Sequence, residues 1–388
     1  MAGRVYLDWN ATAPLRPEAR AAMAAALDLV GNPSSVHAEG RAARQVVEQA
    51  RVEIARAVGT DARNVVFTSG GTEANSLALT PGLRRKSGYP IKRLVISAIE
   101  HASVLTGGRF AREAIELVGV DSSGVVDLDR LRRMLAEGAP ALVSIMAANN
   151  ETGALQPTAE IADMVHEAGG LLHVDAIQSV GRIHFNINTL KSDLVSVSAH
   201  KSGGPKGVGA LVLSEGLDGV EALIRGGGQE QGRRAGTENV AGIAGFGAAI
   251  KVAVASMQTD MARVENLRDR LEISLRQTRG VIVFSKEAPR LPNTVLFTIP
   301  GLKAETAVIG FDLEGIAVSS GSACSSGKVQ PSHVLEAMGA GSSLAKGAVR
   351  LSLGWSTTEA DIDRCLEAWR KLSGALLKGY DETELERF

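Results

Sequence analysis

Leu171-Leu-His-Val-Asp-Ala-Ile-Gln178 and Asp193-Leu-Val-Ser-Val-Ser-Ala-His-Lys201 share one pattern, an apolar run that ends on charged and polar side chains. Runs of this kind suit strands covered by helices on both faces. The same reading applies to Val65–Phe67, Leu94–Ile96, Leu142–Ile145 and Ala210–Leu213. Between them lie helical patterns such as Asp127–Glu137 and Thr158–Ala168, each opening on a residue suited to an N-cap. Strands alternating with helices predict an open α/β sheet, mostly parallel. In such sheets ligands sit outside the carboxyl ends of the strands.

Composition narrows the class. The chain has 388 residues, 45% hydrophobic and 22% charged, with a formal net charge of −1. That is enough chain for two domains and an ordinary balance for a globular enzyme. Nothing in the charge points to nucleic acid or an anionic membrane. No uninterrupted apolar run of membrane-spanning length and no signal-peptide core stand out, so a cytoplasmic location is expected. The two cysteines, Cys324 and Cys365, lie far apart in sequence, which speaks against a disulfide framework or an intrinsic metal site.

Other elements follow from local signals. Pro17 suits a first helical turn before the alanine-rich Glu18–Leu29, and Ala38–Val58 reads as a second helix closed by Gly59. Ile250–Gln277 reads as one long connecting helix. Val281–Phe284 and Asn293–Ile299 read as strands of a smaller α+β domain, ending with a helix over 359–377. Gly226–Asn239 is a glycine-rich loop whose arginines and Thr237 suit an anion, though a plain surface excursion reads equally well.

The polar groups at the strand ends form a list. Phe67 leads into Thr68-Ser-Gly-Gly-Thr-Glu-Ala-Asn75, where Gly71 and Thr72 open a helix, a geometry that favours a phosphate. Ile96 leads to Glu100-His101; alone, His101 could be a satisfied core histidine. Ile145 leads to Asn149-Asn150, which could be a simple turn. Asp175 ends so apolar a strand that it needs a cationic or hydrogen-bonding partner. Lys201, followed by Ser202-Gly-Gly-Pro-Lys-Gly-Val-Gly209, is placed to reach into a cleft rather than into solvent. A buried lysine amine forms Schiff bases readily, and pyridoxal 5'-phosphate (PLP) is the cofactor that commonly uses one.

Together these residues supply what PLP requires. Gly71, Thr72 and Ser198 suit the phosphate, Asp175 the pyridine nitrogen, Gln178 the phenolic oxygen, His101 the ring face and Lys201 the aldehyde carbon. The second anchor is Ser319-Ser-Gly-Ser-Ala-Cys-Ser-Ser-Gly327. Cys324 sits among small polar residues rather than apolar ones, as a reactive thiol would. Cys365 reads as an ordinary helix residue. Arg350 suits a substrate carboxylate, or equally the surface end of a strand.

These residues resemble the cysteine desulfurases of the NifS and IscS type, class-V aminotransferases within the fold-type I PLP enzymes. The resemblance runs nearly end to end, through Tyr6–Thr12, Gly31–His37, Thr68–Asn75, Glu100-His101, Asn149–Gly153, Asp175–Gln178, Ser198–Lys201, Arg234–Asn239 and the Cys324 loop. It implies a large PLP-binding domain over 15–255 with a mainly parallel seven-stranded sheet. It also implies a small α+β domain, formed by 1–14 and 256–388, that carries the cysteine loop. It implies a homodimer in which Thr237 reaches the neighbour's phosphate. His200 would join the phosphate cup, Asn149 would touch the cofactor, and Asn32, Asn149 and Arg350 would hold the substrate carboxylate region.

The implied reaction takes sulfur from L-cysteine. Lys201 moves the α-proton, Cys324 becomes a persulfide and L-alanine leaves. The sulfur then passes to an acceptor protein such as an iron–sulfur scaffold, whose cluster Cys324 could contact. A selenocysteine lyase and a non-catalytic sulfur-transfer scaffold are the alternatives. Trp9 departs from the commoner family pattern, and so does Ser325–Gln330 after the cysteine, which bears on the acceptor more than on the chemistry.

Overall fold

The computed structural model describes residues 3–86, 88–321 and 330–376. Seven strands form the central sheet: β1 (Val65–Thr68), β2 (Arg93–Ser97), β3 (Ile115–Val118), β4 (Ala141–Met146), β5 (Leu171–Asp175), β6 (Leu194–Ser198) and β7 (Gly209–Leu213). Their spatial order is β1-β7-β6-β5-β4-β2-β3. All pairs are parallel except those of β7, which runs antiparallel to both β1 and β6. Every residue of β4, β5 and β6 is buried, as their unbroken apolar character requires.

β3 has no counterpart among the expected strands. Its sequence, Ile-Glu-Leu-Val, alternates, and Leu117 is 58% exposed. It is an edge strand paired only with β2, so it lacks the two-sided apolar signature that marks the others.

Helices cover the sheet: α1 (Pro17–Leu27), α2 (Ala38–Val58), α3 (Gly71–Ala78), α4 (Leu128–Glu137), α5 (Thr158–Glu167) and α6 (Val240–Leu275). Pro17 stands in the first turn of α1, and Gly59 closes α2 in the left-handed conformation. α6 starts ten residues before the expected Ile250, because three glycines there look unsuited to a helix. They are needed for closeness instead: a side chain on Gly247 would sit 2.6 Å from the Cα of Ala50 in α2. α6 is also apolar enough over part of its length to cross a bilayer by length and composition alone, although Lys251 interrupts it; half of that window is buried and α6 packs on α1 and α2.

Four further strands, β8 (Ile282–Val283), β9 (Thr294–Thr298), β10 (Ser319–Ser320) and β11 (Val349–Ser352), form an antiparallel sheet in the order β8-β9-β11-β10. Its core includes Phe297, Phe311, Cys365 and Trp369, and it takes in Val5 and Leu7 from the start of the chain. Cys365 is fully buried, and burial pushes its thiol up to about 12, which makes it an inert core residue. α6 belongs to both cores. Ile243, Phe246 and Ile250 pack under the large sheet, while Val264, Leu267 and Leu271 pack in the small one. The division expected between residues 255 and 256 thus falls inside one continuous helix.

Candidate active site

The carboxyl ends of β1, β5 and β6 meet the segment Asn10-Ala11 and Arg350 of β11 around a cavity of about 300 Å³. Lys201 enters it from a short turn after β6. Its Nζ donates to the carbonyl oxygens of Asn10 at 2.5 Å and Ala11 at 2.8 Å. The glycine-rich stretch behind it is tight: a side chain on Gly203 would meet Trp355 at 2.4 Å. Lys201 is therefore held toward the cavity.

Asp175 is buried at the end of β5. Its Oδ1 accepts from the Ile177 N–H at 3.0 Å and its Oδ2 from Asn75 Nδ2 at 2.8 Å. Burial raises its pKa, while the Ile177 N–H, Asn75, His101 and Lys201 all pull the other way. Asn75, on α3, also donates to Ser103 Oγ at 2.9 Å, and that hydroxyl lies 2.8 Å from His101 Nδ1. The Ser103 N–H donates to the same nitrogen at 3.1 Å, so in the neutral ring the proton sits on Nε2. Burial lowers the His101 pKa; Asp175 opposes this, and Lys201 and His333 add to it. Asn75 thus orients the acid directly and the imidazole through Ser103.

At the opposite wall, α3 presents its N-terminus with Gly71 and Thr72 beside Ser198. A Cβ on Gly71 would meet Ile177 at 2.3 Å and Ser198 at 3.4 Å, so position 71 offers only its backbone. His200 joins this rim, with Nδ1 3.2 Å from Thr12 Oγ1, and burial with nearby Lys201, Lys206 and Arg182 lowers its pKa to about 4. Gln178 also lines the cavity; its Nε2 donates to the Asn10 carbonyl at 3.0 Å.

Expected residues Gly71, Thr72, His101, Asp175, Gln178, Ser198, His200, Lys201 and Arg350 therefore come together around one space. Three do not. Asn149 is fully buried behind the wall: Oδ1 accepts from the Glu151 and Thr152 N–H groups, and Nδ2 donates to the Ile99 carbonyl. It organises the turn that brings its neighbour Asn150 to the cavity. The polar pair was legible, but which member faces inward depends on the turn. Asn32 is exposed, its Oδ1 accepting from the Ser34 N–H, and it does not line the cavity. Thr237 is exposed beside a separate cavity of about 210 Å³. The loop bearing it is pinned by Arg51, whose guanidinium binds both oxygens of buried Glu230 at 2.7 and 2.8 Å, and by Arg234 on Glu73 at 3.1 Å. Cys324 lies outside the described residues.

Sequence reading missed Asn75, Ser103, Asn10 and Arg182. Each works by binding another side chain of the site rather than by ending a strand. Glu100 and Glu151 are also buried near the cavity. Glu100 accepts from the Met146 N–H at 2.8 Å, and burial pushes its carboxyl well above the usual range. Burial raises Glu151 to about 7, opposed by Ser332 and Arg350.

The set fits PLP: an amine for the aldehyde, a buried carboxylate for the pyridine nitrogen, and a helix N-terminus with Thr72 and Ser198 beside it for the phosphate. Among the described residues no group of three or more His, Cys, Asp or Glu could hold a metal ion.

Comparison with known proteins agrees with this chemistry. The aminotransferase class-V family model matches residues 5–365. A protein named cysteine desulfurase IscS from Dictyoglomus turgidum is 41% identical over 378 residues, covering 96% of this chain and 95% of its own. A cysteine desulfurase of Cereibacter sphaeroides is 43% identical over 372 residues, 94% of each chain. The solved NifS-like protein of Rickettsia africae superposes with a TM-score of 0.87 at 38% identity, covering 96% of this chain and 99% of its own. A structure described as SspA in complex with cysteine superposes with a TM-score of 0.72 at 28% identity, over 91% and 100% of the two chains.

Proposed function

The chain belongs to the class-V aminotransferase family, and from that premise we propose that it is a PLP-dependent cysteine desulfurase. The observation that carries this is Lys201 and buried Asp175 sharing one cavity with the open N-terminus of α3. The net reaction balances: L-cysteine and the Cys324 thiol give L-alanine and the Cys324 persulfide.

Lys201, Asp175, Gln178, Thr72, Ser198, His200 and His101 would hold PLP, which would supply an electron sink at the substrate α-carbon. Everything else falls to the chain's own groups. Arg350 binds the substrate carboxylate. The Lys201 amine takes the α-proton and returns it to the carbon skeleton. The two N–H donors to Asp175 favour its carboxylate form against the burial that raises its pKa. His101, a neutral ring with its proton on Nε2, donates that proton at the substrate sulfur. Cys324, as thiolate, forms the new sulfur–sulfur bond while the carbon–sulfur bond breaks.

We propose further that the protein works as a homodimer. The pinned loop leaves Thr237 exposed and away from its own Lys201 cavity, which suits a hydroxyl delivered to a neighbour's phosphate. Leu27, Val30 and Val36, 73%, 91% and 84% exposed, are apolar surface that a second copy could cover. The persulfide sulfur then passes by thiol exchange to an acceptor protein such as an iron–sulfur scaffold, in a reducing, cytoplasmic setting where thiols persist.

The test is direct. Purified protein with PLP and L-cysteine should release alanine and sulfide in equal amounts under reductant. Lys201→Ala should abolish the visible absorption and both products. Cys324→Ala should abolish persulfide and sulfide while the cofactor still binds. Full-rate sulfide release by Cys324→Ala would overturn the reading.

A further inference from the structure

Arg182 is a buried cation with no acid partner among the described residues. It is 7% exposed, and among the described residues it makes hydrogen bonds but no ion pair. Its acceptors are all neutral. One terminal nitrogen donates to Asn10 Oδ1 at 2.8 Å and to Gln178 Oε1; the other donates to the carbonyls of Trp9 and Lys201, each at 3.3 Å. Burial, with a further push from Arg350, lowers its pKa to about 9, so it remains charged at neutral pH. An unpaired buried charge is costly. It becomes tolerable beside a cavity that receives an anionic ligand.

The contact with Gln178 has a directional consequence. A primary amide carries an acceptor oxygen and a donor nitrogen of nearly the same shape, and either could face a ligand. In Gln178 the oxygen is held by Arg182, four residues further on. The Nε2 gives one hydrogen to the Asn10 carbonyl, and its other hydrogen remains for the cavity that Gln178 lines. Turning the amide over would set its NH₂ against the guanidinium and lose a hydrogen bond to a charged group, among the stronger kinds. The same Asn10 carbonyl also accepts from Lys201 Nζ.

We propose that Arg182 is a positioning residue for the cofactor: it locks the Gln178 amide so that only an N–H faces the ring's phenolic oxygen. The proposal rests on the PLP reading above. Arg182 touches neither substrate nor cofactor and acts through Gln178.

The test compares Arg182→Met, Arg182→Lys, Gln178→Ala and the Arg182→Met/Gln178→Ala double variant. It reads the visible absorption maximum of the loaded enzyme, the PLP dissociation constant, and kcat and KM for L-cysteine. Arg182→Met should shift the absorption maximum, weaken PLP about tenfold and lower kcat more than it raises KM. Arg182→Lys keeps a charged donor for Oε1 and should recover PLP affinity to within about threefold of wild type. In the Gln178→Ala background, Arg182→Met should change the absorption maximum no further. An unchanged maximum and affinity in folded Arg182→Met, or the same shift without Gln178, overturns the proposal. Should Arg182→Met fail to fold, Gln178→Glu keeps the Arg182 contact but offers no N–H; wild-type PLP affinity in that variant overturns it equally. A wild-type protein that takes up no PLP overturns the functional reading instead.

Discussion

Asp8 Oδ1 accepts a hydrogen bond from Arg350 at 2.8 Å, so the arginine expected to hold the substrate carboxylate already holds an acid of its own chain. Its other terminal nitrogen donates to the Asn150 carbonyl at 3.1 Å, while Nε is buried with no partner among the described residues. Asp8 thus aims the guanidinium and competes for it. Asp8→Asn should strengthen binding of L-alanine, the carboxylate-bearing product, by about two- to tenfold, or ~0.4–1.4 kcal/mol. Arg350→Lys, which cannot form two parallel bonds, should raise KM for L-cysteine at least about tenfold. Steady-state kinetics and product inhibition measure both.

Asn75 binds Asp175 and Ser103 at once. Asn75→Ala leaves one carboxylate oxygen without its donor and frees the hydroxyl that seats His101. PLP affinity should fall about tenfold or more, the range for losing a hydrogen bond to a charged group. Equilibrium binding of PLP measures it, and a near-wild-type melting temperature would separate this from loss of fold.

Glu151 links stability to pH. Its ordinary pKa of 4.5 becomes about 7 in the folded protein, chiefly through burial. Between those values the native state keeps a proton that the unfolded state has released, so stability is greatest below pH 4.5 and falls as pH rises toward 7. The slope from this group is at most ~1.4 kcal/mol per pH unit. Ser332 and Arg350 are the groups that oppose the shift. Glu151→Gln should flatten the fall between pH 5 and 7, as read from urea midpoints across that range.

The crossing of α2 and α6 leaves no room for a methyl group. In Gly247→Ala the new Cβ would stand 2.6 Å from Ala50 Cα and 2.7 Å from its Cβ. The backbone must shift, at a cost of about 1–3 kcal/mol. Thermal unfolding should register this with little change in KM for L-cysteine.

How much of this was legible in the chain follows from how each group does its work. Asp175, Ser198 and Lys201 end apolar runs, and a polar residue at that position announces itself. Six of the central strands were visible for the same reason, whereas the exposed edge of β3 was not. Arg182, Asn10, Asn75 and Ser103 carry no such signal, because their partners lie far away in sequence or, for Arg182 and Gln178, on successive turns after β5 with no periodicity to mark them. Asn149 and Asn150 are indistinguishable until the turn sets which one points inward. The glycines of α6 read as helix breakers from local propensity, and only the closeness of α2 explains them.

α6 is 36 residues long, about 54 Å at 1.5 Å per residue, and it works as a ruler shared by the two cores. Angle is measured along it as well as length. One residue inserted near its middle would turn the small core by about 100° relative to the large sheet and carry Arg350 away from Lys201. Chain length in the centre of this helix, between the residues that enter the two cores, is therefore under stricter constraint than side-chain identity there, and natural variation should substitute those central residues more freely than it changes their number.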